Sequence, residues 1–202
     1  MIFEKKATVA ALKNAYKNGY EVHIEGDRLH IYTATWSAQV ETRQVPVDVS
    51  QTIVEHMGYL PTRPERVRKN EDAQLVMPDI TGWREEYIQR QRDSSVSMAR
   101  LPIVFKEHWQ LFRSGGGGVY AFDTELVSIV DPELCDAVRI SANGMGLWFS
   151  GDELVMIAPG KFDEKDREKL LAIAKLYEHQ DYLVDEPENV SMFDDMEEGE
   201  EE

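Results

Sequence analysis

Cysteine is nearly absent from this chain. Cys135 is the only one in 202 residues, so no internal disulfide can form and a reducing compartment is expected. Long apolar runs are missing too: no stretch approaches the roughly 18 residues of a membrane-spanning helix. The amphipathic start, MIFEKKATVAALKNAYKNGYE, lacks the apolar segment and cleavage site of a secretory signal. A cytoplasmic location is the expectation. Basic residues are scarce, with 22 Lys and Arg against 38 Asp and Glu and a net charge of −16. Core material is not scarce, because 42% hydrophobic and 9% aromatic residues are enough to bury one sizeable domain.

The negative charge is unevenly spread. Residues 185–202 hold ten acids and no lysine or arginine. Residues 61–113 hold ten basic and eight acidic residues, a slight positive excess, whereas residues 114–184 carry −7 and residues 1–60 only −1. The body is mildly acidic, the middle is Arg-rich, and the tail is extreme.

Element signals are clearest from Asp136 to Glu178. Val138, Ile140, Leu147, Phe149, Leu154, Met156 and Ile157 read as three strands, with Asn143-Gly144 and Gly151-Asp152 as turns. Pro159-Gly160 ends the last strand, and Asp163 stands at the N-cap of a helix carrying Leu170, Ile173, Ala174 and Tyr177. Nearer the N-terminus, residues 2–6 read as a short strand and Ala7–Asn18 as a helix stopped at Gly19. Tyr20–Glu25 and Arg28–Thr33 follow as a hairpin turning at Gly26-Asp27, then a strand near Ala38–Val45 and a short helix within residues 47–60. Pro61–Asp79 reads as an extended loop and Thr81–Arg92 as a helix with Arg84, Arg90 and Arg92 outward. Leu101–Phe112 fits strand or helix equally, and Ser114 with Gly115–Gly118 reads as a flexible connector. Val119–Phe122 (strand), Asp123 (N-cap) and Thr124–Val130 (helix) complete a second strand-helix-three-strand unit.

The predicted fold is therefore α+β. Two such units, at 1–60 and 119–184, make antiparallel sheet with packed helices. An Arg-rich insertion occupies 61–118, and a disordered acidic tail 185–202. The turns Gly26-Asp27-Arg28-Leu29 and Gly151-Asp152-Glu153-Leu154 match at three residues, as a duplication or turn chemistry alone would produce. The stretch from Thr8 to Pro46, which includes Glu25-Gly26-Asp27-Arg28-Leu29, resembles one half-domain of a DNA sliding clamp. That resemblance implies a clamp-like accessory acting on nucleic acid.

Catalytic signatures are weak. With the first hairpin turning at Gly26-Asp27, His23 faces His30 across the strands, a pair able to share a metal ion but lacking an evident third ligand. No metal site is assigned, and the bland expectation is two residues on an exposed sheet face. Cys135 lies among Asp131, Glu133 and Asp136, which hold a thiol protonated rather than activate it. Neither Ser114-Gly115–Gly118 nor Asn143-Gly144-Met145-Gly146 has the context of a nucleotide-binding loop, so no cofactor is expected.

Binding signals are stronger. Arg66, Arg68, Lys69, Arg84, Arg90 and Arg92, interleaved with Trp83, suit phosphate contact and base stacking. The small segment charge favours local pairing with Glu65, Glu85, Glu86 and Asp93 instead. The tail, with Phe193 beside Asp194 and Asp195, resembles the acidic tails of single-stranded DNA-binding proteins. Its acids, however, run on to Glu202 instead of ending on the hydrophobic residue.

The leading expectation is a non-catalytic binding protein, an accessory or inhibitor of the phage- or plasmid-borne kind. It would engage a basic, nucleic-acid-handling partner through Asp152, Glu153, Asp163, Glu164 and the tail residues Phe193, Asp194 and Asp195. Two alternatives stand beside it. One is a nucleic-acid-binding accessory using the Arg-rich middle with the tail as competitor. The other is an enzyme whose site draws on His56, His108, Cys135 or Asp152.

Overall fold

Glu4 starts the first helix. Its side chain accepts the N–H of Ala7 at 2.6 Å, and Thr8 Oγ1 donates to the Glu4 carbonyl at 2.6 Å. In the computed structural model, which describes residues 2–75 and 87–177, α1 spans Lys5–Asn18 and buries Leu12 completely. The expected strand over residues 2–6 reduces to one bridge, Phe3 with Val130, because capping by Glu4 begins the helix two residues earlier. Gly19, at φ +89°, releases the chain into β1 (Tyr20–Glu25). Strands β2 (Arg28–Tyr32) and β3 (Trp36–Glu41) follow, then α2 (Val47–Met57), which buries Val49, Ile53 and Met57 at i, i+4 and i+8. Gly58 ends it in the left-handed region at φ +87°.

The expected loop over 61–79 contains two short strands, β4 (Glu65–Val67) and β5 (Gln74–Leu75). β4 pairs antiparallel with β1, and β5 with β4. Residues 87–93 are helical. The ambiguous Leu101–Phe112 stretch resolves into a hairpin of β6 (Val96–Phe105) and β7 (Trp109–Ser114). Pro102 has no N–H for the ladder, and the register shifts between Arg100 and Val104. The Gln110 amide donates to the carbonyls of Leu101 at 2.6 Å and Ile103 at 3.1 Å, satisfying groups the irregularity would otherwise strand.

Gly115–Gly118 is likewise not a loose connector. It is the tight turn of the hairpin between β7 and β8 (Val119–Asp123). Gly117 sits at φ +83°, its N–H reaches the Ser114 carbonyl at 2.9 Å, and the Gly118 N–H reaches Ser114 Oγ at 3.1 Å. Asp123 caps α3 (Thr124–Val127), which is shorter than the predicted Thr124–Val130. Three strands follow as expected, β9 (Ala137–Ile140), β10 (Gly146–Ser150) and β11 (Glu153–Ile157). Asp163 Oδ1 then accepts the N–H of Asp166 at 2.8 Å and opens α4 (Glu164–Leu176).

The fold is α+β. Among the described residues eleven antiparallel strands form one sheet in the order β5-β4-β1-β2-β3-β11-β10-β9-β6-β7-β8. The two predicted units meet where β3 pairs β11, in the register Trp36–Ile157 and Ala38–Val155. The shared Gly-Asp turns are not equivalent positions in those units. Gly26-Asp27 joins the first and second strands after α1, whereas Gly151-Asp152 joins the second and third after α3.

One sheet face carries the principal core, with Val22, Ile31, Ala38, Val155 and Trp148 under α1 and α2. On the opposite face Ile88 packs with Leu147, Leu154 and Met156. A third cluster seats Leu170 of α4 against Leu101, Leu111 and Ala121. Among the described residues no helix is long and apolar enough to cross a membrane.

Candidate functional site

The first hairpin turns at Gly26-Asp27, and its register places Ile24 opposite Leu29 and His23 opposite His30. Period-two alternation puts Val22, Leu29 and Ile31 on the core face and sends both histidines to the other side. That side is not open. His23 and His30 are only 2% and 4% exposed, and Ile88, Gln89 and Arg92 of the 87–93 helical segment wall the cleft beside His30. The expectation of two exposed imidazoles therefore fails. Local alternation identified the face, but not the segment that covers it.

The two rings stack with centroids 4.8 Å apart and planes 11° from parallel. Tyr32, two residues beyond His30 on the same face, brings its hydroxyl within 3.3 Å of His30 Nδ1. Glu25, two residues beyond His23, brings Oε2 within 3.9 Å of His23 Nε2. One donor atom from each of His23, Glu25 and His30 falls within 4.8 Å of the others. Glu25 is the third ligand candidate that sequence reasoning missed, although its i, i+2 spacing from His23 signals the shared face. Burial, then the neighbouring His23 and Arg28, push the His30 pKa down from 6.5 to about 4. The ring is neutral at pH 7.

Asp152 lies in the turn of the β10–β11 hairpin and draws two guanidinium groups toward it. Arg28 donates to its carbonyl at 3.3 Å and to Oδ2 at 3.4 Å, and Arg92 donates to the same carbonyl at 3.4 Å. Arg92 also lies over the Phe149 ring, 5.6 Å from its centroid. It is half-buried rather than outward as the helical pattern suggested. Glu153, expected on the partner-binding surface, is 6% exposed. Its carboxylate accepts the backbone N–H groups of Ile2 and Glu41. An inward position on β11 converts that acid from a surface charge to an internal tie.

The other predicted surface acids, Asp163 and Glu164, are exposed at the start of α4, where Asp163 doubles as the cap. Arg66, Arg68 and Lys69 are exposed on and just after the short strand β4, with Arg68 paired to Glu71 at 3.2 Å. Arg90 is exposed on the 87–93 segment. Trp83, Arg84, Phe193, Asp194 and Asp195 lie outside the described residues, as does the acidic tail.

The catalytic alternatives do not converge. His56 stacks on Tyr16 and bonds the Tyr20 hydroxyl at 3.0 Å, whereas His108 rests against Trp109. Burial raises the Cys135 pKa, and its thiol bonds the Ala137 carbonyl, so the group is unactivated. Among the described residues no hydrogen bond or ion pair joins any two of His56, His108, Cys135 and Asp152.

A second surface stands out by charge. Between Arg113 and Arg139 the chain has no lysine or arginine but carries Asp123, Glu125, Asp131, Glu133 and Asp136. Three of these acids also fix the local backbone. Asp123 Oδ1 accepts the Glu125 N–H, Asp131 Oδ1 the Glu133 N–H, and Asp136 Oδ2 the Gly151 N–H. Elsewhere acids pair with bases, as Asp48 does with Lys5 and Asp166 with Lys106. Among the described residues no ion pair reaches the five acids of this rim. Leu134, in its midst, is 43% exposed.

Comparison with protein-family models and with curated proteins finds no match for this chain.

Proposed function

We propose that the protein is a non-catalytic binding protein, an accessory or inhibitor, that docks on a basic surface of a protein partner. The observation that carries this reading is the rim from Asp123 to Asp136, with five acids that make no ion pair among the described residues and an exposed apolar side chain between them. Unneutralised carboxylates on capped, rigid turns lose little freedom on docking, and they attract a basic surface from beyond contact distance. Leu134 supplies an apolar anchor within a polar rim. A strongly basic patch is the electrostatic footprint of a surface that contacts nucleic acid, so the partner class we propose is nucleic-acid machinery. The acidic tail extends the same charge.

The dispersal of the Arg-rich set argues against direct nucleic-acid binding as the main role. Arg92 turns inward and Arg68 pairs locally. Affinity capture from nuclease-treated lysate tests the reading, using the full chain beside Glu125→Gln/Glu133→Gln. Support is a nuclease-resistant, lysine- and arginine-rich protein that the variant captures several-fold less. Equal capture by both baits, or recovery of nucleic acid in its place, counts against it.

A further inference from the structure

Two imidazoles stacked face to face under a helical segment are an unusual use of sheet surface. Apolar neighbours such as Leu154 and Met156 cover the corresponding face one hairpin away.

We propose that His23, Glu25 and His30 form a three-ligand site for a divalent transition-metal ion of the zinc class. The donor set, two imidazoles and one carboxylate, suits zinc and excludes calcium and magnesium, which prefer all-oxygen shells. Geometry needs a defined adjustment. Donors about 2.0–2.1 Å from a tetrahedral zinc lie roughly 3.3 Å from one another, against 3.9 Å for His23 Nε2 to Glu25 Oε2 and a maximum of 4.8 Å across the set. The contraction falls on Glu25, whose side chain is 57% exposed, and on rotation of one imidazole about its Cβ–Cγ bond, because nearly parallel rings do not aim both in-plane lone pairs at one point. Tyr32 completes the arrangement. In the tautomer with its proton on Nδ1, His30 donates to the Tyr32 hydroxyl at 3.3 Å and leaves the Nε2 lone pair for the ion.

Two cations stand nearby and must not cancel the site. Arg28 points its guanidinium at Asp152, and Arg92 is spread over Phe149 and the Asp152 carbonyl. Both are held by contacts of their own, although they line the same cleft as His30. Glu25 supplies the local negative charge. The fourth coordination position opens on a cleft of about 520 Å³ walled by Gln39, Gln89 and Arg92, where water or a small anionic group binds the ion. The site shares no residue with the acidic rim.

The test is zinc titration of the chelator-stripped full chain, with a competing chromophoric chelator as readout, followed by cobalt substitution. One equivalent of zinc bound at micromolar or tighter dissociation constant, and the intense visible bands of tetrahedral cobalt, are expected. Glu25→Gln, an exposed change that leaves the fold intact by circular dichroism, weakens binding at least tenfold. His30→Gln abolishes it, and Tyr32→Phe weakens it roughly tenfold, as loss of an orienting partner does. Absence of saturable binding overturns the proposal. So does binding that Glu25→Gln and His30→Gln leave unchanged, which would place the metal on other carboxylates such as those of the tail.

Discussion

The carboxylate of Glu153 accepts the backbone N–H of Ile2 through one oxygen at 2.8 Å and that of Glu41 through the other at 3.2 Å. One side chain on β11 thereby holds the start of the chain and the end of β3. Replacement by alanine leaves two backbone donors without their acceptor in a buried setting, where each unmet group costs about 1–3 kcal/mol. Glu153→Ala is expected to lower unfolding stability by about 2–4 kcal/mol, seen as a lower urea midpoint at unchanged m-value. Glu153→Gln keeps one acceptor oxygen and loses less.

Acid sensitivity is expected at the histidine face in the metal-free protein. His30, surrounded by His23, Glu25, Arg28, Tyr32 and Arg92, has its pKa lowered to about 4 from an ordinary 6.5. As the pH falls, the unfolded chain takes up the proton first, so unfolding gains free energy. Stability that is complete above about 6.5 is lost progressively as the pH falls to about 4, by up to about 3 kcal/mol. Urea midpoints at pH 7 and pH 4.5 measure this. His30→Gln removes the ionisable ring and should shrink the difference between the two.

Gly146 holds a place where no side chain fits. A Cβ there would lie 2.5 Å and 2.6 Å from two Trp148 ring atoms and 2.9 Å from Phe122. Those rings, with Phe112, form an edge-to-face triad with centroids 5.3–5.7 Å apart. Gly146→Ala therefore forces rigid aromatics to move, at a cost of about 1–3 kcal/mol. A thermal melt shows it as a lower Tm, with altered near-ultraviolet circular dichroism from Trp148.

Asp152 offers the opposite case. Its side chain is 89% exposed and its pair with Arg28 is long, at 3.4 Å. Such pairs contribute about 0–1 kcal/mol, so Asp152→Asn leaves the urea midpoint within error of the parent. Any loss of partner binding by this variant then reports on the surface, not on folding.

Much of the architecture is legible in local chemistry. Gly26-Asp27 and Gly151-Asp152 declare their turns, and the first of these sets the His23–His30 register correctly. Gly19, Gly58 and the caps Asp123 and Asp163 mark helix boundaries where they occur. The β6–β7 hairpin is opaque for a physical reason. Pro102 interrupts its pattern, and the turn uses Lys106 and Glu107 at positive φ where glycine or asparagine would have signalled it. The four glycines after Ser114 mislead in the reverse sense, since composition alone does not distinguish a tether from a turn. The candidate sites divide along the same line. Facing histidines follow from strand period, whereas their burial, the inward turn of Arg92 and the internal role of Glu153 depend on contacts between residues 60–151 positions apart. The acidic rim was legible in the gap between Arg113 and Arg139, a signal that net charge over a wider segment averages away.

The central claim is docking through the acidic rim. Its most direct measurement is the dissociation constant of the captured partner at low and high salt, for the parent chain and for Glu125→Gln/Glu133→Gln. The account predicts that affinity falls at least tenfold as salt rises through the range where the screening length shrinks from about 10 Å to about 3 Å. The variant should be weaker at low salt and less sensitive to its increase. Affinity that ignores both salt and the two substitutions would contradict the claim.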